Sequence, residues 1–408
     1  MSTPRARVAL YSPGMVGLGH VRRNLLIAQA LVASGLQPAV LLIAEAAEAA
    51  AFHLPPGVDC VTLPALRKTG DDRFRPRRIA LAVERLVELR ARVIHGALTS
   101  FCPDVLIVDH LPRGAARELD PVLEDLCRGG TRCVLGLRDV LEAPATVRRE
   151  WAKAESFAAV DRWYHSIWVY GDPAVYDLAA ECRFPPQMGR KVRYTGYLDQ
   201  RPRLAMARAD HPILDGATAR QRLFLCAVGG GQDGGRLAQT FARADFPPDA
   251  VGVILSGPFM PGAVGEQTRA AQRYRPQLHV LGFVSEPTPL VARADRIIAM
   301  GGYNTLCELL SFGKRALIVP RAGPRREQLI RAERFHALGL VEMVHPQDLS
   351  PDVLSDWFRQ DPAPGPPARR VDLHGLDRIV GMIQEMLALT RRRTMRVRQP
   401  AAISGAGL

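Results

Sequence analysis

At 408 residues the chain is too long for one ordinary core, so two domains are expected, and no apolar run approaches the ~20 residues of a membrane span. The formal net charge is +13, carried by 54 basic residues of which only Lys68, Lys153, Lys191 and Lys314 are lysines, while aromatic residues make up 6% and do not interleave with them. That pattern argues against a nucleic-acid platform and leaves room for a phosphorylated or otherwise anionic partner. The seven cysteines form no CxxC pair, which points to reduced cytosolic thiols rather than a zinc site or disulfide frame. The opening residues, Met1 to Arg5, run straight into a strand pattern. A cytoplasmic protein is therefore expected, with room for peripheral contact at the inner face of a membrane.

In chain order, residues 7–11 read as a strand, 21–34 as a helix closed by Gly35, and 39–44 as a second strand. Further strands are expected at 105–109 and 133–137, with helical segments between. The pattern restarts with strands at 223–228, 251–255, 278–282, 296–300 and 316–319. Strands this apolar, separated by helices, are buried on both faces of parallel sheets. The fold expected is α/β, with two Rossmann-like doubly wound domains facing a cleft. The first would span 1–200 and the second 221–390, joined by a hinge at 201–220. The Pro-rich stretch 361–367 cannot be regular structure, a helix is expected at 373–389, and the basic stretch 391–408 is expected to be disordered.

Two Gly-rich turns follow strands. In the first, Ser12-Pro13-Gly14-Met15-Val16-Gly17-Leu18-Gly19-His20, the loop can hold a pyrophosphate or serve the histidine. A dinucleotide site needs an acidic residue about 20 positions on, whereas Glu45 lies 26 residues past Gly19. If the loop serves the histidine instead, Gly14, Gly17 and Gly19 bring backbone close to the ligands and His20 projects into the cleft, where an imidazole can take a proton as general base or stabilise reacting oxygens. Asp109 and Asp139 stand at the ends of other strands of this domain. Either can orient His20 or serve as the base in its place. No His/Cys/Asp/Glu cluster has metal-ligand spacing.

The most specific stretch is Met300-Gly301-Gly302-Tyr303-Asn304-Thr305-Leu306-Cys307-Glu308, continuing to Val319-Pro320 and Glu327-Gln328. Two glycines end a strand and a helix starts, so unpaired N–H groups would face a diphosphate. A carboxylate one turn in, Glu308, suits the vicinal diol of a ribose better than a phosphate.

These motifs resemble the GT-B glycosyltransferases of the family 28 type, which include the peptidoglycan N-acetylglucosaminyltransferase family. The resemblance covers most of the second domain and, more loosely, the first turn. It implies that Glu308 binds the nucleotide ribose and that Glu327 and Gln328 bind hydroxyls of the donor sugar. It places Gly301, Gly302, Tyr303, Asn304 and Thr305 beside the diphosphate. Gly229 to Gly234, with Gly230, Gly231 and Gln232, looks like the second glycine loop, though many members have serine where Gly231 stands. Gly282-Phe283-Val284 looks like the stretch whose backbone reads the base, usually uracil. A metal-independent site without a cofactor is implied, with Arg321, Arg325 and Arg326 as candidate cations for the leaving diphosphate.

The function expected is an inverting transfer from a UDP-sugar to an acceptor hydroxyl on a small molecule, a lipid-linked substrate or a glycan. The alternatives are hydrolysis or epimerisation of a UDP-sugar on the same fold, or a non-catalytic nucleotide-sugar sensor. The basic stretch from Arg67 to Val93 can face anionic lipid or a charged acceptor, although its apolar residues also fit a core-facing stripe.

Overall fold

The computed structural model describes residues 6–14, 18–45, 52–68, 74–207, 221–360 and 371–398, with side chains as far as 389. The first sheet contains β1 Arg7–Tyr11, β2 Ala39–Glu45, β3 Val58–Leu63, β6 Val105–Asp109, β7 Arg132–Arg138, β8 Ser166–Tyr170 and β9 Val192–Tyr194. A small hairpin, β4 Leu66–Lys68 with β5 Phe74–Pro76, lies outside it. The sheet order is β3-β2-β1-β6-β7-β8-β9, and every pair is parallel. The second sheet contains β10 Arg222–Ala227, β11 Ala250–Leu255, β12 Leu278–Leu281, β13 Arg296–Ala299, β14 Arg315–Ile318 and β15 Glu342–Met343. Its order is β12-β11-β10-β13-β14-β15, again all parallel.

The strands are apolar throughout because both faces of each sheet are covered. In β1, Val8 and Leu10 pack into one core while Ala9 and Tyr11 pack into another. In β10, Leu223 and Leu225 face one way and Phe224 and Cys226 the other. In both sheets the strand order reverses beside the first strand, between β1 and β6 and between β10 and β13. Loops diverge at such a reversal and leave a crevice at the carboxyl ends of the strands. The first Gly-rich turn follows β1, the second follows β10, and Gly301-Gly302 follows β13. Chain topology therefore carries all three turns to one cleft.

Two parts of the domain layout differ from expectation. The chain crosses to the second domain at 197–200, ahead of the expected hinge. Gln200 N already donates to Ser311 Oγ at 2.9 Å, and Arg201–Met206 form a 3-10 helix. Of the hinge stretch, 208–220 lies outside the described residues. The last helix, Gly375–Arg398, returns to the first domain and packs on the helix Gly19–Ala33. Its stripe of Leu376, Ile379, Ile383 and Leu387 is buried there. This helix also continues eight residues past 390, into the stretch expected to be disordered. Residues 390–398 contain neither Gly nor Pro, and arginine and methionine are strong helix formers, so nothing stops it before Pro400. Residues 399–408 lie outside the described chain.

Candidate active site

His20 stands in the first turn of the helix Gly19–Ala33, whose start is set by the turn after β1. Its neighbour in the sheet, β6, ends at Asp109, so the reversal between the two strands places these side chains together. His20 Nδ1 lies 2.6 Å from Asp109 Oδ2. Arg23, one turn further along the same helix, reaches Asp109 with Nη2 at 2.7 Å from Oδ1 and 2.5 Å from Oδ2. Burial alone would raise the Asp109 carboxyl; the Arg23 guanidinium and His20 outweigh it and hold the carboxyl far below its usual range. A ring nitrogen this close to an ionised carboxylate carries the proton, so His20 Nε2 presents its lone pair. Burial lowers the His20 pKa, and Asp109 only partly restores it, so the ring is neutral near pH 7. This is the state required of a base. Asp109 is fully buried and bound on both oxygens. Its contacts hold the His20 ring in one orientation.

Asp139 has a different place. Oδ1 accepts Arg331 Nε at 2.8 Å and Oδ2 accepts the Tyr197 hydroxyl at 3.0 Å. Arg331 belongs to the second domain, so Asp139 is a buried strut between domains. The strand β7 ends one residue earlier, and it is Arg138 whose side chain enters the cleft. Glu45, the acid weighed for a dinucleotide, is buried against Arg90 Nη1 at 2.7 Å. Gly17 lies outside the described residues.

The second domain closes the cleft with three loops around a cavity of about 340 Å³ lined from both domains. The helix Tyr303–Ser311 starts at Gly302 with no side-chain cap and no acid in its first turn, so its N–H groups are open to a ligand. Gly302, Tyr303, Asn304 and Thr305 line the cavity. Gly301 does not: at φ +80° it makes the turn, and a Cβ there would stand 3.0 Å from Ile318. Asn304 Nδ2 donates to the Gly19 carbonyl at 2.9 Å and ties the two domains across the cleft. Glu308, which is nearly buried, points into the same space. Its Oε1 accepts Arg203 Nη1 at 2.5 Å, and Arg203 Nη2 also donates to Glu286 at 2.7 Å. Arg203 comes from the crossing segment, where nothing in the sequence marked it.

Gly230, Gly231 and Gln232 form the opposite wall. Gly231 has φ +90°, and a Cβ there would lie 2.1 Å from the Ser256 carbonyl oxygen. A serine cannot stand at this position in this loop, which explains the departure from the resembled pattern. Phe283 and Val284 line the far end, and Phe283 is 41% exposed, so it is not a core aromatic. Arg22 Nη2 crosses from the first domain to the carbonyls of Val284, at 3.3 Å, and Ser285, at 3.0 Å.

Glu327 and Gln328 begin the helix Glu327–Ala337 and line the cavity. Arg321 pairs with Glu327 Oε1 and with Asp233 Oδ2, the latter at 2.6 Å, and its own N–H donates to Gln328 Oε1 at 3.1 Å. Glu327 Oε2 is buried with no partner among the described residues. Of the three candidate cations, only Arg321 lines the cavity; Arg325 pairs with Glu150, and the Arg326 backbone N–H is bound by Glu142. Arg23 was missed as well, although its i, i+3 spacing from His20 puts both on one helix face. Among the described residues no group of acids, histidines and cysteines has a metal-binding arrangement, and no helix is long and apolar enough to cross a membrane.

Residues 261–360 match the glycosyltransferase family 28 C-terminal domain. A UDP-N-acetylglucosamine–N-acetylmuramyl-(pentapeptide) pyrophosphoryl-undecaprenol N-acetylglucosamine transferase of Haemophilus influenzae is 26% identical over 98 residues. That match takes in 24% of this chain and 28% of the relative, so little more than a quarter of the relative's length is covered. The structure of MurG from Acinetobacter baumannii superposes with a TM-score of 0.53 at 15% identity, over 93% of this chain and 99% of that one. A Listeria monocytogenes protein described as a UDP-N-acetylglucosamine 2-epimerase gives 0.61 at 13% identity, over 95% and 98%. At these identities the structures speak for the two-domain GT-B fold.

Proposed function

We propose that this chain, whose residues 261–360 match the family 28 C-terminal domain and which has the GT-B fold, is a glycosyltransferase moving a sugar from a UDP-sugar to an acceptor hydroxyl with inversion. One observation carries the reading. A neutral imidazole, oriented by a carboxylate 2.6 Å away, faces across a single cavity the uncapped helix start at Tyr303 and the carboxylate of Glu308.

In this mechanism Glu308 Oε2 accepts from the ribose hydroxyls while Arg203 holds Oε1. The diphosphate lies on the N–H groups of the helix Tyr303–Ser311, beside the loop Gly229–Gly234 and Arg321. Phe283 and Val284 flank the base. Glu327 and Gln328 meet the sugar hydroxyls. The acceptor hydroxyl gives its proton to His20 Nε2 as its oxygen bonds to the anomeric carbon. The bond from that carbon to the diphosphate oxygen breaks, and its electron pair leaves with UDP. The N–H groups and Arg321 take up the negative charge that develops, which supports a reaction needing neither a metal ion nor a resident cofactor. The acceptor enters from the first domain. There Ile79, Leu81 and Leu89 are exposed, while Arg85 and Arg92 share Glu88, and the exposed apolar side chains support peripheral membrane contact and a lipid-linked acceptor.

The epimerase-like superposition keeps a second reading in view, in which water or the sugar itself replaces the acceptor. Release of UDP from a UDP-sugar, measured with and without candidate acceptors, separates them. Release that rises on adding acceptor, with the sugar recovered on it, supports transfer. Release at the same rate without acceptor establishes a hydrolase instead, and conversion of the UDP-sugar to its epimer with no net release of UDP establishes an epimerase.

A further inference from the structure

Among the described residues, two guanidiniums that line the cavity form no ion pair, those of Arg22 and Arg138. Arg23 is engaged by Asp109, Arg203 by Glu308 and Glu286, Arg321 by Asp233 and Glu327, and Arg331 by Asp139. Arg22 donates to two backbone carbonyls. Arg138 lines the same cavity, yet its Nε is buried without a partner and no acid among the described residues forms an ion pair with it. Burial, then Arg331 and Arg23, lowers its pKa to about 10, which still leaves the side chain charged near neutral pH. A half-buried guanidinium whose Nε is cut off from solvent and which has no acidic partner is poised to take an anion from a ligand.

The position of Arg138 says which part of a ligand this would be. It ends β7 on the first-domain side, close enough to His20 and His110 to depress both imidazoles. The charge of Glu327, across the cleft, acts on it in turn. It therefore flanks the reacting end of the cavity. The nucleobase end lies at Phe283 and Val284, and the diphosphate already has the uncapped helix start and Arg321.

Resting on the reading of the cleft as a nucleotide-sugar site, we propose that Arg138 is the docking cation for a carboxylate or phosphate borne by the transferred sugar or by the acceptor. The substrates of this protein are then anionic beyond their nucleotide.

The test is calorimetric titration of the full chain and of its R138Q and R138K variants. The ligands are UDP, UDP-glucose and UDP-glucuronic acid, followed by inorganic phosphate on the UDP-saturated protein. UDP should bind all three proteins within about twofold, which shows the variants folded and the nucleotide site intact. A wild-type preference for UDP-glucuronic acid over UDP-glucose of at least about tenfold, lost in R138Q and partly kept in R138K, places the anion on the sugar. Without that preference, phosphate binding to UDP-saturated wild type but not to R138Q places it on the acceptor. R138Q matching wild type in both arms overturns the inference. So does a loss of UDP affinity as large as any other loss, since Arg138 would then be a ligand of the diphosphate. Failure of the wild type to bind UDP at all overturns the donor reading together with this one.

Discussion

Asp109→Asn removes one charge and keeps the shape of the side chain. In the native protein Asp109 accepts from both His20 Nδ1 and Arg23, and a carboxylate can serve both because it only accepts. An amide has one accepting oxygen. Arg23, always a donor, claims it, so the amide N–H₂ turns toward His20 Nδ1. The imidazole must then accept at Nδ1 and carry its proton on Nε2, the nitrogen that faces the cavity. The base is lost through the wrong tautomer rather than through any displacement. Loss of a general base lowers turnover by roughly 10²–10⁴-fold, about 2.7–5.4 kcal/mol in the barrier. Arg23 also loses its buried counter-charge, so the melting temperature should fall, on the scale of the roughly 3–5 kcal/mol seen when one partner of a buried pair is removed. UDP affinity, set in the other domain, should hold. The assay is turnover at saturating donor and acceptor, with UDP calorimetry and thermal melting on the same preparation. His20→Gln, which leaves the Arg23–Asp109 pair in place, provides a better-folded companion. If D109N binds UDP normally and keeps more than about a tenth of the turnover, the tautomer argument is wrong. If H20Q does the same, His20 is not the base.

Glu308→Ala should weaken UDP binding by roughly 1.5–3 kcal/mol, the scale of a lost charged hydrogen bond, and Arg203→Met should follow it in the same direction; calorimetry showing either unchanged would remove that residue from the ribose site. Gly231→Ser should abolish UDP binding while leaving the first domain folded, because its Cβ would meet the Ser256 carbonyl at 2.1 Å, and normal nucleotide affinity would show that the loop has another conformation. Burial lowers the pKa of both His20 and His110, so below about pH 6.5 the unfolded chain binds more protons than the folded one. Stability should therefore be full above that pH and decline on acidification, with the acid limb of kcat/KM also below 6.5. Chemical denaturation and rate profiles across pH 4–8 would check both, and an acid limb above 6.5 would contradict the burial argument. Ending the chain at 370 should destabilise the first domain, since Leu376, Ile379 and Ile383 are buried on it, and a melt within a degree of the full chain would refute that packing.

Much of this was legible because apolar strands and glycine turns leave strong local marks. Strands such as Val105–Asp109 and Ala250–Leu255 are continuous apolar runs, and their ends locate the cleft residues to within one position. Strand β3 escaped because Asp59 and Thr62 are exposed at the sheet edge and break the apolar run. One position was also where reading at β7 failed: Arg138 and Asp139 are adjacent, and strand alternation sends one to the cleft and the other to the domain interface. Arg203 was not legible at all. Its partners Glu286 and Glu308 are 83 and 105 residues away, and the segment that carries it has no periodicity to betray a buried face. The fate of the last helix was hidden for a related reason. An apolar stripe announces that a partner exists but not which domain supplies it.

That last helix changes how the molecule can move. The chain passes between domains twice, at 197–200 and again at 371–374, and the two passages are stitched together by Tyr197 N to Asp372 O at 2.7 Å and Gly375 N to Tyr197 O at 3.1 Å. Two antiparallel straps resist twist and sliding far better than one, because any motion that separates them must break these bonds. Rotation about the line on which both lie is the motion they constrain least, and opening the cleft by it would have to break Asn304 to Gly19, Arg22 to Val284, Arg331 to Asp139 and Arg325 to Glu150, so enclosure of a bound molecule is tied to the whole set of inter-domain contacts and not to one wall.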